Sequence, residues 1–182
     1  MRTIADHIYD IASNSIKAKS SNIHLKIIIQ NNKFIFKIQD NGSGINEEIL
    51  KNIFDPFITS RNKKIRKVGL GLPLLKQNTE LTGGYVVIDS KFWEGTYLEA
   101  QFLTNSIDMI EIGDIAGTIT GLITAEISID WEIELTSDTT SERLTTIELK
   151  NILGDIPLNN IQVIPIIKNI IQDICSTVFE NV

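Results

Sequence analysis

The sequence predicts an α/β fold, and three observations carry that prediction. Ile4, Ile8, Ile11, Ala12 and Ile16 recur at helical spacing near the start. Ile23, Leu25, Ile27 and Ile29, then Phe34, Phe36 and Ile38, alternate as strands with one buried face. After residue 105 the mixture of helical and alternating patterns starts again.

Residues 3–19 therefore read as an amphipathic helix. Asn31-Asn32 separates the two alternating runs, and Asn tolerates the positive φ of a tight hairpin. Asn46 is placed to cap a short helix with Glu47 and Glu48 in its first turn and Ile49, Leu50 and Ile53 inside. Residues 58–68 lack apolar periodicity, are strongly basic and read as a loop. A helix follows over about 70–82, with Pro73 in its first turn and Gly83-Gly84 at its end. Residues 85–89 and 96–103 read as strands joined by a turn containing Gly95. Residues 112–125 carry a helical pattern weakened by Gly113, Gly117 and Gly121. Ile127, Ile129, Trp131, Ile133 and Leu135 alternate as a strand, and 136–142 read as a turn. Thr145 with Glu148 resembles a capping box that opens a helix closed by Gly154, and a last helix is expected over about 160–178.

Composition bounds the class. The chain has 182 residues, 42% hydrophobic and 22% charged, as in ordinary globular proteins. Cys175 is the only cysteine, so no intrachain disulfide forms and a reducing compartment is expected. The N-terminal residues lack the apolar core of a signal peptide, and no apolar run reaches membrane-spanning length. The expectation is a cytoplasmic protein with no membrane partner. The net charge of −6 is unevenly spread. Residues 1–103 hold 14 Lys/Arg and 10 Asp/Glu, whereas 104–182 hold 3 and 13. That shift suggests two regions, 1–103 and 104–182, the second a small acidic α+β appendage packed on the first. The acidic half argues against a nucleic-acid surface, and no nucleic-acid partner is expected.

Three motifs carry chemistry. Asp10 and Asn14 lie one turn apart on the polar face of the first helix, with His7 on nearly the same face. Such a face is ordinarily solvated. Functionally, Asn14 offers a carbonyl oxygen to magnesium, which keeps several waters and needs few protein ligands, while Asp10 activates or orders a water. Asp40 ends a strand and is followed by Asn-Gly-Ser-Gly44. This is either a simple turn or an acid that accepts a hydrogen bond from an amino-bearing base, with glycines letting the base approach the backbone. A buried acid needs such a partner to offset its desolvation. Gly69-Leu-Gly-Leu72 opens a helix after Arg61, Lys63, Lys64, Arg66 and Lys67. Glycines there turn backbone N–H groups towards phosphate oxygens, and the basic run reads as a lid.

The order of these motifs resembles the Bergerat-fold (GHKL) ATPases, which include histidine kinases, gyrase-type topoisomerases, mismatch-repair ATPases and a heat-shock chaperone. Asp10–Asn14, continuing through Ser15-Ile-Lys-Ala18, resembles the N box, and Asp40–Gly44 the first glycine box. Phe54-Asp-Pro-Phe57 resembles the kinase F box, Gly69–Leu72 the second glycine box and Gly95-Thr96 the last. The resemblance spans about residues 1–103 and implies a two-layer α/β sandwich with helices on one face of a mixed sheet. It implies ATP and Mg2+ as cofactors, Asn14 as the metal ligand and Asp10 as the catalytic residue. It further implies ATP contacts from Asn14, Lys17, Asp40, Gly42, Gly44, Ile45 and Phe57, and from Lys67, Gly69, Leu70, Gly71, Leu72 and Thr96.

This chain departs from the family in two places. Hydrolysing members usually carry Glu at the position of Asp10, and histidine kinases often carry Asn. Only 13 residues precede Asn14, so no dimerising hairpin with a phosphorylated His is expected within them. His7 is expected to pack or line the site, and His24 is assigned nothing. The expected function is a histidine-kinase-like ATP/Mg-binding regulatory protein that phosphorylates or acts on a partner protein. The alternatives are a nucleotide-gated binding module with little catalysis, and a simple Mg-ATPase.

Overall fold

The computed structural model describes residues 1–55 and 70–179. The polar–apolar alternation of the strands becomes one sheet of six. β1 (Asn22–Gln30), β2 (Lys33–Asp40), β3 (Tyr85–Lys91), β4 (Gly95–Leu103), β5 (Asp130–Ser137) and β6 (Ser141–Thr145) stand in the order β3-β4-β2-β1-β5-β6. β1 pairs antiparallel with β2 and parallel with β5, and the remaining pairs are antiparallel, so the sheet is mixed. The helices are α1 (Ile4–Lys17), α2 (Glu47–Leu50), α3 (Gly71–Leu81), α4 (Ile115–Ala125), α5 (Thr146–Leu153) and α6 (Ile164–Phe179). Among the described residues no helix is long and apolar enough to cross a membrane.

One face of the sheet makes the core. Leu25, Ile27, Phe34, Phe36, Leu98, Phe102 and Trp131 are buried beneath helices whose own apolar stripes include Ile4, Ile8, Leu75, Ile119 and Ile167. The opposite face carries Lys, Glu, His and Tyr at the alternate positions, as expected for a sheet with one solvated side. The α/β fold with a mixed sheet and helices on one face is thus present.

Local signals account for most boundaries. Asn31 and Asn32 have φ of 52° and 58°, the double positive φ of a type I′ hairpin. Asn46 caps α2, accepting from the Glu48 N–H at 2.7 Å. Gly83 ends α3 at φ 85°. Thr145 and Glu148 form the expected capping box of α5.

Three expectations need correction. The β3–β4 turn is made by Phe92, Trp93 and Glu94, and Gly95 is the first residue of β4. The strand expected from Ile127 starts at Asp130, because 127–129 turn into it; the Ile129 N–H donates to the Glu126 carbonyl. The polar run 136–142 is not all turn: β5 reaches Ser137, and Ser141 begins an edge strand whose pattern is too polar to announce itself.

Residues after 103 are built into the same framework. β5 pairs with β1 along eight positions. The first turn of α1 leaves N–H groups without helical partners, and the later chain supplies acceptors. The Ile4 N–H donates to the Glu111 carbonyl at 2.9 Å and the Ala5 N–H to the Ile112 carbonyl at 2.8 Å.

Candidate nucleotide site

The site forms where α1, the end of β2 and the start of β4 converge. α1 is fixed first. Thr3 and Asp6 close a reciprocal capping box, and backbone N–H groups of Arg2 and Thr3 hold the Asp6 carboxyl below its ordinary range. With Ile4, Ile8, Ile11 and Ala12 buried, Asp10, Asn14 and Lys17 are left on the outer face.

Asp40 is buried on the helix side of the sheet, at the end of β2. Ser15 Oγ donates to its Oδ2 at 2.6 Å, and the Gly42 N–H donates to its Oδ1 at 2.8 Å. Ser20 Oγ lies 3.1 Å from Oδ1 and 2.8 Å from the Ser15 carbonyl, and its one proton serves either acceptor. The acid therefore does not need a ligand to offset its burial, contrary to the sequence argument, because the chain supplies its donors. An ionised carboxylate offers roughly four lone-pair sites, so capacity remains for one more donor.

The glycines beside Asp40 serve close backbone packing. A Cβ at Gly42 would stand 2.6 Å from Ser20 Oγ and 2.8 Å from Ala18 Cβ. Gly44 has φ 61°, and a Cβ there would overlap the Lys91 carbonyl. Ser90 ties this region together: its Oγ accepts from the Ile45 N–H at 2.8 Å and lies 2.9 Å from Thr96 Oγ1. Thr96 stands directly opposite Asp40 in the β2–β4 register. Asp40, Gly42, Gly44, Ile45 and Thr96 are thus gathered at one end of the sheet.

The start of α3 faces α1. A Cβ at Gly71 would collide with Asp10 Oδ2, so the Asp10 carboxylate lies against the first residue of that helix. Leu70 is exposed and Leu72 is buried in the core. Further along, His7 Nε2 accepts from Asn78 Nδ2 at 2.9 Å, linking α1 to α3 and giving His7 the packing role expected of it. Its Nδ1 is buried without a hydrogen bond among the described residues. Burial, aided by the positive N-terminus, lowers the His7 pKa to about 4, so the ring is neutral near pH 7. Phe57, Lys67, Gly69 and the basic run 58–68 lie outside the described residues.

Ser15, Ser20, Asn78 and Ser90 were not singled out from the sequence. Ser15 did leave a signal: it falls on the buried stripe one turn after Ile11, where a polar residue needs a partner.

Residues 2–106 match the family described as histidine kinase-, DNA gyrase B- and HSP90-like ATPase. That is more than half of the chain, and the chain belongs to this family. It is 30% identical over 102 residues to sensor histidine kinase YxdK of Bacillus subtilis, covering 53% of this chain and 31% of that protein. It is 36% identical over 91 residues to sporulation kinase D of the same organism, covering 49% of this chain and 17% of the kinase. The chain thus spans about a third or less of the length of these curated relatives. Among solved structures it is similar in fold to the Aquifex aeolicus MutL ATPase domain complexed with ADP, with a TM-score of 0.53 and 12% identity over 84% of this chain and 69% of that one.

Proposed function

We propose that this protein binds Mg-ATP and uses it in regulation, transferring phosphate to a partner protein or acting on one. The observation that carries the reading is Asp40: a buried carboxylate, oriented by Ser15 and Gly42 and retaining acceptor capacity, in a chain of the histidine-kinase-like ATPase family. An acceptor-only group at that place selects a base with an exocyclic amine. The named relatives are kinases, which supports phosphotransfer as the reaction class.

The donor set on α1 suits magnesium. Asn14 and Asp10 present hard oxygens one turn apart, and Mg2+ combines one or two such ligands with phosphates and water. In this reading Asn14 holds the ion, which when bound neutralises phosphate charge. Lys17, Ile45, Phe57, Lys67, Gly69, Leu70, Gly71 and Leu72 contact ATP in this reading, and Asp10 orders or deprotonates the attacking group. Residues 1–103 carry these contacts, and the acidic region 104–182 supports them through β5 and the cap on α1.

ATP labelled at the γ-phosphate separates the alternatives. Kinase action leaves label on a partner protein. A simple Mg-ATPase releases labelled phosphate from the isolated chain, and Asp10→Asn abolishes that release. A nucleotide-gated module retains intact ATP. Failure to bind ATP at all would sink every version.

A further inference from the structure

We propose that His24, Glu132 and Glu134 form a binding site for a divalent transition-metal ion on the open face of the sheet. β1 and β5 run parallel, with His24 opposite Glu132 and Lys26 opposite Glu134. Alternation turns His24, Glu132 and Glu134 away from the helices and towards the solvated face. One ligand atom from each of the three lies within 4.8 Å of the other two. Among the described residues His24 Nε2 is enclosed and makes no hydrogen bond, and it lies 3.4 Å from Glu134 Oε1.

The competing account is a set of cross-strand ion pairs. Lys26 Nζ holds Glu134 Oε2 at 2.6 Å, and Arg143 Nε holds Glu132 Oε1 at 2.6 Å. Those pairs engage one oxygen of each carboxylate, and Glu134 turns its other oxygen towards His24 Nε2 at 3.4 Å, so the imidazole and both carboxylates converge. A cation that accepts one imidazole nitrogen and two carboxylate oxygens satisfies all three groups. That nitrogen–oxygen set suits zinc and its neighbours; magnesium prefers oxygen alone. Three protein ligands leave a further position open to water or another molecule.

This site is independent of the nucleotide reading. His24 follows Ile23, the register partner of Asp40, so its side chain leaves the opposite face of the sheet. Glu132 and Glu134 lie beyond the residues that match the ATPase family.

Zinc titration of the full chain without nucleotide, followed by calorimetry, tests the site. One ion per chain is expected, with His24→Ala and Glu132→Gln each weakening binding about tenfold or more. Arg143→Gln, which releases Glu132 from its ion pair, is expected to tighten it. Asn14→Ala and Cys175→Ser should leave it unchanged. The 15N resonance of His24 Nε2 should move on zinc addition while His7 does not, a readout that needs no variant to fold. Zinc binding that survives both ligand substitutions, follows Cys175, or is matched by equimolar magnesium would overturn the proposal.

Discussion

At the scale of single residues, protonation and hydrogen-bond supply decide what the site can hold. Asp40 accepts from Ser15 and Gly42, has Ser20 within reach, and keeps capacity for one more donor. Ser15→Ala removes the 2.6 Å donor and leaves a buried carboxylate oxygen short of a partner, at a cost of about 1–3 kcal/mol. Chemical denaturation should show that loss, together with weaker ATP binding. His7 sets a pH dependence. Its ordinary pKa of 6.5 falls to about 4 in the fold, so below pH 6.5 the unfolded chain takes a proton that the folded chain refuses. The stabilisation is full above pH 6.5 and disappears as pH falls towards 4, a change of about 3 kcal/mol. Denaturation curves at pH 7 and 4.5 should show this slope, and His7→Gln should flatten it. Glu99 acts in a lower window. Burial raises its pKa, but hydrogen bonds from Tyr85, Tyr97 and Lys37 outweigh that and bring it to about 2. Its contribution is therefore present above about pH 4.5 and lost as pH falls towards 2.

At the scale of elements, α1 is the part that carries the site, and its caps fix where it points. Thr3→Ala breaks the capping box and should cost about 1 kcal/mol in thermal unfolding. Gly71→Ala would force the Asp10 carboxylate away from the start of α3. Its expected signature is lost turnover; unchanged turnover would show that Asp10 need not lie there. Elements written by strong local chemistry were legible from the sequence: the Asn31-Asn32 hairpin, the Asn46 and Thr145 caps, and the stripe of α1. What escaped was non-local. β6 is a polar edge strand that exists because β5 offers it a partner, and Ser15 and Ser20 join the site only because Asp40, 20 or more residues on, arrives beside them. Packing against Ala18, Ser20 and Lys91 also demands glycine at 42 and 44, a non-local constraint that the motif does not announce.

At the scale of the whole molecule, the charge step near residue 103 does not interrupt the sheet. β1 has β2 on one side and β5 on the other, and the turn of chain at Glu111 and Ile112 caps α1. A fragment ending at residue 103 would expose one edge of β1 and uncap the helix that bears Asp10 and Asn14. It should lose cooperative unfolding by circular dichroism and, with it, nucleotide binding. An equally stable fragment would show that the later region is dispensable to the site. The central claim is that Asp40 reads an exocyclic amine. Calorimetric comparison of ATP with inosine triphosphate, which carries an oxo group in place of that amine, tests it most directly. The wild-type chain should prefer ATP by about tenfold or more, the worth of a charge-assisted hydrogen bond, and Asp40→Asn should erase the preference. Equal affinity of the wild-type chain for the two nucleotides would contradict the account.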